Sequence, residues 1–179
     1  MNHIKTKLVA VLIIFILSFL FHYLYEWLPN PVFSIFFPVN ESIWEHMKLL
    51  FTPIIFYGAI DYYLMTKYKI KFNNFLFALF ISSIISIPIY LIIYLPLYYM
   101  SGENLFVSIL ILLIVIVIAQ MINYYIQKRN NIHLDIISCI CIIITFIIFG
   151  YLTYYPFITD LFYDKGNKLY GINTYYLGN

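Results

Sequence analysis

Residues 105–126 read LFVSILILLIVIVIAQMINYYI, an apolar run without one charged side chain. A helix needs about 20 such residues to cross the hydrocarbon core of a bilayer. Four more runs reach that length, at about 8–28, 42–64, 74–98 and 134–154. The expected fold class is therefore all-α: an integral membrane bundle of about five transmembrane helices, one domain over 1–179, with a Tyr-rich outer tail over 157–179.

Composition agrees. The chain is 64% hydrophobic and 10% charged, against about 25% charged in a soluble domain. A chain of 179 residues cannot hide so much apolar surface in one core. The net charge of +2 is small, and no basic patch alternates with stacking aromatics, so nucleic acid is excluded as a partner. The bilayer is the expected partner. The first run follows Lys5 and Lys7 as a signal peptide would, but it is too long and lacks a small-x-small site, so a retained helix is expected. Pro53, Pro88 and Pro96 fall inside runs, where a membrane helix bends without ending. Cys139 and Cys141 lie two apart on a helix, facing different ways. They read as small buried hydrophobes.

Basic residues in short loops set orientation. Lys5, Lys7, Lys67, Lys69, Lys71, Lys128 and Arg129 fall on one side; Lys48, Lys165 and Lys168 fall on the other. The larger set belongs in the cytoplasm, which gives N-in and C-out. Trp27 and Trp44 then mark outer helix ends, and Glu103 is one of several outer acids. Asn131 is expected to cap the fifth helix, Asp135 to favour its macrodipole, and Ser101 or Asn104 to cap the fourth. Asp61 is expected to pair with lysines near the inner end of helix two. Gln120 and Asn123 read as interhelical hydrogen-bonding groups. Between the first two spans, Pro29, Pro31 and Pro38 are expected to prevent a regular helix, so that segment lies in the interface or dips into the bundle.

The unusual chemistry gathers at the outer end. Phe21-His22-Tyr23-Leu24-Tyr25-Glu26-Trp27 closes the first helix, and Pro38-Val39-Asn40-Glu41-Ser42-Ile43-Trp44-Glu45-His46-Met47-Lys48 opens the second. His22 and Glu26 share a helix face, and Glu41, Glu45 and Lys48 form a stripe flanked by His46. Polar groups at membrane depth mark function by default. His22, Glu26, Glu45 and His46 are the candidate ligands for a divalent metal, because imidazole with carboxylate suits zinc, iron or manganese. Glu41, Glu45 and Lys48 are the catalytic candidates. No HExxH motif is present. A structural account also covers much of this stretch: Ser42 and Glu45 fit a capping box, Asn40 is a rival cap, and Glu45 with Lys48 fits an ion pair. Asp160 and Asp164 reach the cluster only if the tail folds over the bundle, and a solvated tail is the expectation.

The stretch from Phe37 to Leu49 resembles the signature of a family of small, uncharacterised membrane proteins from low-GC Gram-positive bacteria, of PVNESxWEHxK type. Phe21-His22-x-Leu24-Tyr25-Glu26-Trp27 and Leu161-Phe162-x-Asp164 are similar to it as well. The resemblance implies a multi-pass bacterial membrane protein and no assigned activity. The functional expectation is an outward-facing polar, divalent-metal site, used by a metal-assisted membrane hydrolase acting on a lipid-like or envelope substrate. The alternatives are a small-molecule binding or transport component, or a structural or regulatory membrane protein.

Overall fold

The computed structural model describes residues 2–102 and 104–172; Glu103 and the tail beyond residue 172 lie outside the described residues. It is helical apart from one small hairpin. Helices α1 (His3–Trp27), α2 (Pro31–Phe36), α3 (Ile43–His46), α4 (Lys48–Lys67), α5 (Phe75–Ser101), α6 (Leu105–Gln127) and α7 (Asp135–Tyr154) are followed by strands β1 (Tyr163–Asp164) and β2 (Leu169–Tyr170). Helices α3 and α4 are one rod interrupted at Met47, so five helices are long and apolar enough to cross a membrane.

Helix α1 starts earlier than hydropathy suggests because the Asn2 side chain accepts from the Lys5 N–H, ending the helix with a cap rather than with a change in polarity. Helix α5 packs along α6, and α1 packs on α4 and α6. Ile14, Ile54, Tyr57, Leu79 and Ile116 form one buried cluster, and Leu50, Phe51, Tyr94, Val115 and Phe149 another. Pro53 cannot donate to the Leu49 carbonyl. The Ser18 hydroxyl of α1 donates to that carbonyl instead, at 3.0 Å, so a neighbouring helix restores the lost bond.

The end opposite the predicted site is stitched by side chains. Lys7 pairs with Asp61, both buried, as expected of Asp61. Asn123 donates to Ser82 Oγ at 3.3 Å, an interhelical bond. Asn104 does cap α6. Asn131 does not cap α7; its side chain accepts from the His133 N–H. Asp135, at the start of α7, accepts from the Leu76 and Phe77 N–H groups at 2.8 and 3.2 Å. It thus satisfies the free donors of a different helix from the one its position suggested.

Three further expectations change. The prolines of the 29–40 segment bound a helix rather than prevent one. Pro31 is at the first position of α2, where a missing N–H costs nothing, and Asn30 caps it by accepting from Phe33 N–H at 3.0 Å. Helix α2 tucks against α7, and Ser34 is buried. Cys139 is exposed on α7 rather than buried. Lys48, counted among the outer basic residues, is fully buried.

Candidate functional site

The Pro38–Lys48 motif builds the site from its backbone outward. Ser42 is the cap of α3, its Oγ accepting from the Glu45 N–H, and Asn40 Oδ1 accepts from the Ser42 N–H in the turn before the helix rather than capping it. This leaves His46 in the first turn, where its Nδ1 donates to the Ser42 carbonyl at 2.9 Å. A carbonyl can only accept, so Nδ1 carries a proton and the ring's other nitrogen, Nε2, is turned toward Glu41. An imidazole held by a backbone carbonyl in this way is oriented as metal-binding histidines are.

Glu41 lies between two imidazoles. One carboxylate oxygen is 3.4 Å from His46 Nε2 and the other 3.7 Å from His22 Nε2. The hydrogen bond with His46 holds the Glu41 carboxyl below the usual carboxylate range; burial opposes this, and the charges of His46 and His22 add to it. Ligand atoms of His22, Glu41 and His46 all lie within 4.8 Å of one another. Two ligands on a tetrahedral zinc at about 2.05 Å sit about 3.3 Å apart. The Glu41–His46 separation of 3.4 Å already matches, and the His22–Glu41 separation of 3.7 Å is slightly longer.

The C-terminal segment folds over the motif. Asp164, fully buried, accepts from the Glu41 backbone N–H at 3.0 Å. It also accepts from the Gly166 and Asn167 N–H groups and the Asn167 side chain. Burial pushes its carboxyl upward, but these bonds outweigh burial and hold it below the ordinary value. Asn40 donates to the Gly171 carbonyl at 2.9 Å, Trp44 N–H donates to Leu161 O, and the Trp44 ring stacks on Phe162 at 4.8 Å. The solvated tail expected from sequence is thus a latch over the described residues 157–172. Its Asp164-Lys165-Gly166-Asn167 turn was readable; its docking was not.

Glu45 and Lys48 face the other way. Lys48 Nζ donates to Glu45 Oε2 (2.6 Å), Thr153 Oγ1 (2.7 Å), and the carbonyls of Ser34 (2.7 Å) and Phe37 (3.3 Å). Glu45 also accepts from the Val39 N–H and the Thr153 hydroxyl. Both side chains are almost wholly buried. They tie α2, α3, α4 and α7 together, turned into this buried network and away from the histidines. Glu26, one turn beyond His22, is exposed at the end of α1. Of the four candidate ligands, then, His22 and His46 come together, joined by the catalytic candidate Glu41.

A cavity of about 240 Å³ opens above the triad, lined among others by Tyr94, Tyr98, Tyr163 and Lys165. The Lys165 ammonium lies 4.6 Å from the centre of the Tyr98 ring. A second, apolar lobe of about 100 Å³ extends inward beneath the histidines, between Phe19, Leu49, Ile109 and Leu112. His22, His46, Tyr90, Leu105 and Ser108 border both spaces. Composition could have flagged the tyrosines only as a class, since their meeting depends on α5 and the hairpin.

Comparison with known proteins finds a family of unknown function, DUF6512, whose model matches residues 1–172. No curated protein and no solved structure matches.

Proposed function

The chain belongs to this family of unknown function, and on that premise we propose that it is a membrane protein binding one divalent transition metal through His22, Glu41 and His46. The reading rests on one observation: three ligand atoms from α1, the following loop and α3 converge within 4.8 Å, one of them on an imidazole already oriented by a backbone carbonyl. Two nitrogens and one carboxylate oxygen suit zinc, iron or manganese. Three protein ligands leave positions for water and substrate, as catalytic sites do and structural ones do not.

The metal would supply a water ionised near neutral pH and polarise an ester oxygen. Asp164 has a positioning role, holding the Glu41 backbone. Glu45 and Lys48 hold the scaffold. The distribution of basic residues supports an outward-facing site in a bacterial cytoplasmic membrane.

Elemental analysis of protein purified in detergent tests this. About one equivalent of zinc, iron or manganese per chain is expected, lost in His46→Ala and in Glu41→Gln, and retained in Glu26→Gln. Wild-type protein free of metal, or a His46→Ala protein with the full complement, overturns the reading. The cavity favours a second reading, a metal-free binding pocket, in which a small molecule stays bound through chelation.

A further inference from the structure

The two lobes differ in character, and that difference identifies the class of ligand. The outer space carries Lys165 at its rim and is lined by Tyr94, Tyr98 and Tyr163. Besides Glu41 its one other acid is Asp164, whose oxygens are engaged by four N–H donors. The inner lobe is apolar, and its one hydroxyl from α1, on Ser18, is already committed to backbone carbonyls. Two residues bordering this lobe also reach the bundle surface: Phe19 is 39% and Leu105 75% exposed. The lobe thus lies against the flank between α1 and α6, where an apolar chain would have the shortest way in from a bilayer.

Resting on the metal-site reading, the geometry points to an amphiphile with a phosphate-bearing head as the ligand. The head sits at the triad with Lys165 and the tyrosines, and one chain lies in the lobe between α1 and α6. A doubly charged metal with one carboxylate ligand keeps a net positive charge, which with the Lys165 ammonium complements a phosphate. A soluble phosphate ester would satisfy the head but leave the apolar lobe unused. A neutral lipid would fill the lobe and leave the cations without a partner.

Dioctanoyl phosphatidic acid, glycerol 3-phosphate and inorganic phosphate serve as probes, with binding followed by native mass spectrometry on detergent-purified protein and metal content measured in each sample. Dioctanoyl phosphatidic acid should bind at least about tenfold more tightly than glycerol 3-phosphate, the worth of roughly two buried methylenes. Ile109→Trp, which fills the lobe, should remove that advantage while the metal stays. Phe19→Trp provides a second plug from the other wall. Lys165→Ala should weaken both organic probes several-fold and leave their ratio unchanged. Metal-loaded wild type that binds all three probes equally overturns the lipid assignment alone. A lobe-filling variant that keeps the advantage does the same. Preferential binding of phosphatidic acid to metal-free wild type keeps the lipid and overturns the metal.

Discussion

Replacing Lys48 with methionine removes the ammonium at the centre of the buried network while keeping most of the side-chain volume. In the folded protein it donates to four acceptors, and it is 0% exposed beside a Glu45 side chain that is 1% exposed. An exposed pair of this kind would be worth less than about 1 kcal/mol. Burial reverses that estimate, because the variant strands the Glu45 carboxylate in a low-dielectric interior, where removing one partner costs about 3–5 kcal/mol. The Ser34 and Phe37 carbonyls lose their donor as well. In the Glu45→Gln/Lys48→Met double variant no charge is stranded, so the remaining cost is that of unpaired polar groups, about 1–3 kcal/mol. The double variant should therefore be less destabilised than Lys48→Met alone by about 2 kcal/mol, well short of the sum of the two single losses. Equilibrium unfolding in mixed sodium dodecyl sulfate and maltoside micelles, read by the fluorescence of Trp44 above this network, measures all four corners of the cycle. A Lys48→Met loss below about 1 kcal/mol, or strict additivity, would refute the argument that desolvation governs this motif.

Other expectations concern packing and the latch. Gly171 has φ +57°, and a Cβ there would meet the Thr153 carbonyl at 2.3 Å; Gly171→Ala should therefore release the C-terminal segment, seen as faster proteolysis after residue 157 and lower metal content. Asp164→Ala removes the acceptor of the Glu41 N–H and should cut metal affinity about 10–100-fold, the range for groups that orient ligands; an unchanged affinity by competitive chelator titration counts against its positioning role. A Cβ on Gly58 would meet Leu79 Cδ1 at 2.5 Å, so Gly58→Ala should cost about 1–3 kcal/mol, with Leu79→Ala recovering part of the loss in the same unfolding assay. Asp61→Ala should destabilise by about 3–5 kcal/mol by stranding buried Lys7, and the added change Lys7→Met should restore much of it.

The long apolar helices and the motif were legible in the chain alone. Hydropathy is a sum over neighbours in the chain, so the five long helices could be read from runs such as 105–126. Local turn and cap bonds were equally legible: Ser42 and Asn40 act within three residues of themselves. The tertiary structure decided how the polar residues were divided. Glu45 was one of four expected ligands and, with Glu41 and Lys48, a catalytic candidate, yet Glu41 faces the histidines while Glu45 turns to Lys48 and Thr153. The i,i+3 spacing to Lys48 was legible, but the burial of that pair was not, because Thr153 lies on α7, 108 positions on. Asp164 is likewise 123 positions from the backbone it holds. Such partners are chosen by which carboxylate finds enough donors to offset leaving water, and that is known only once the helices have packed.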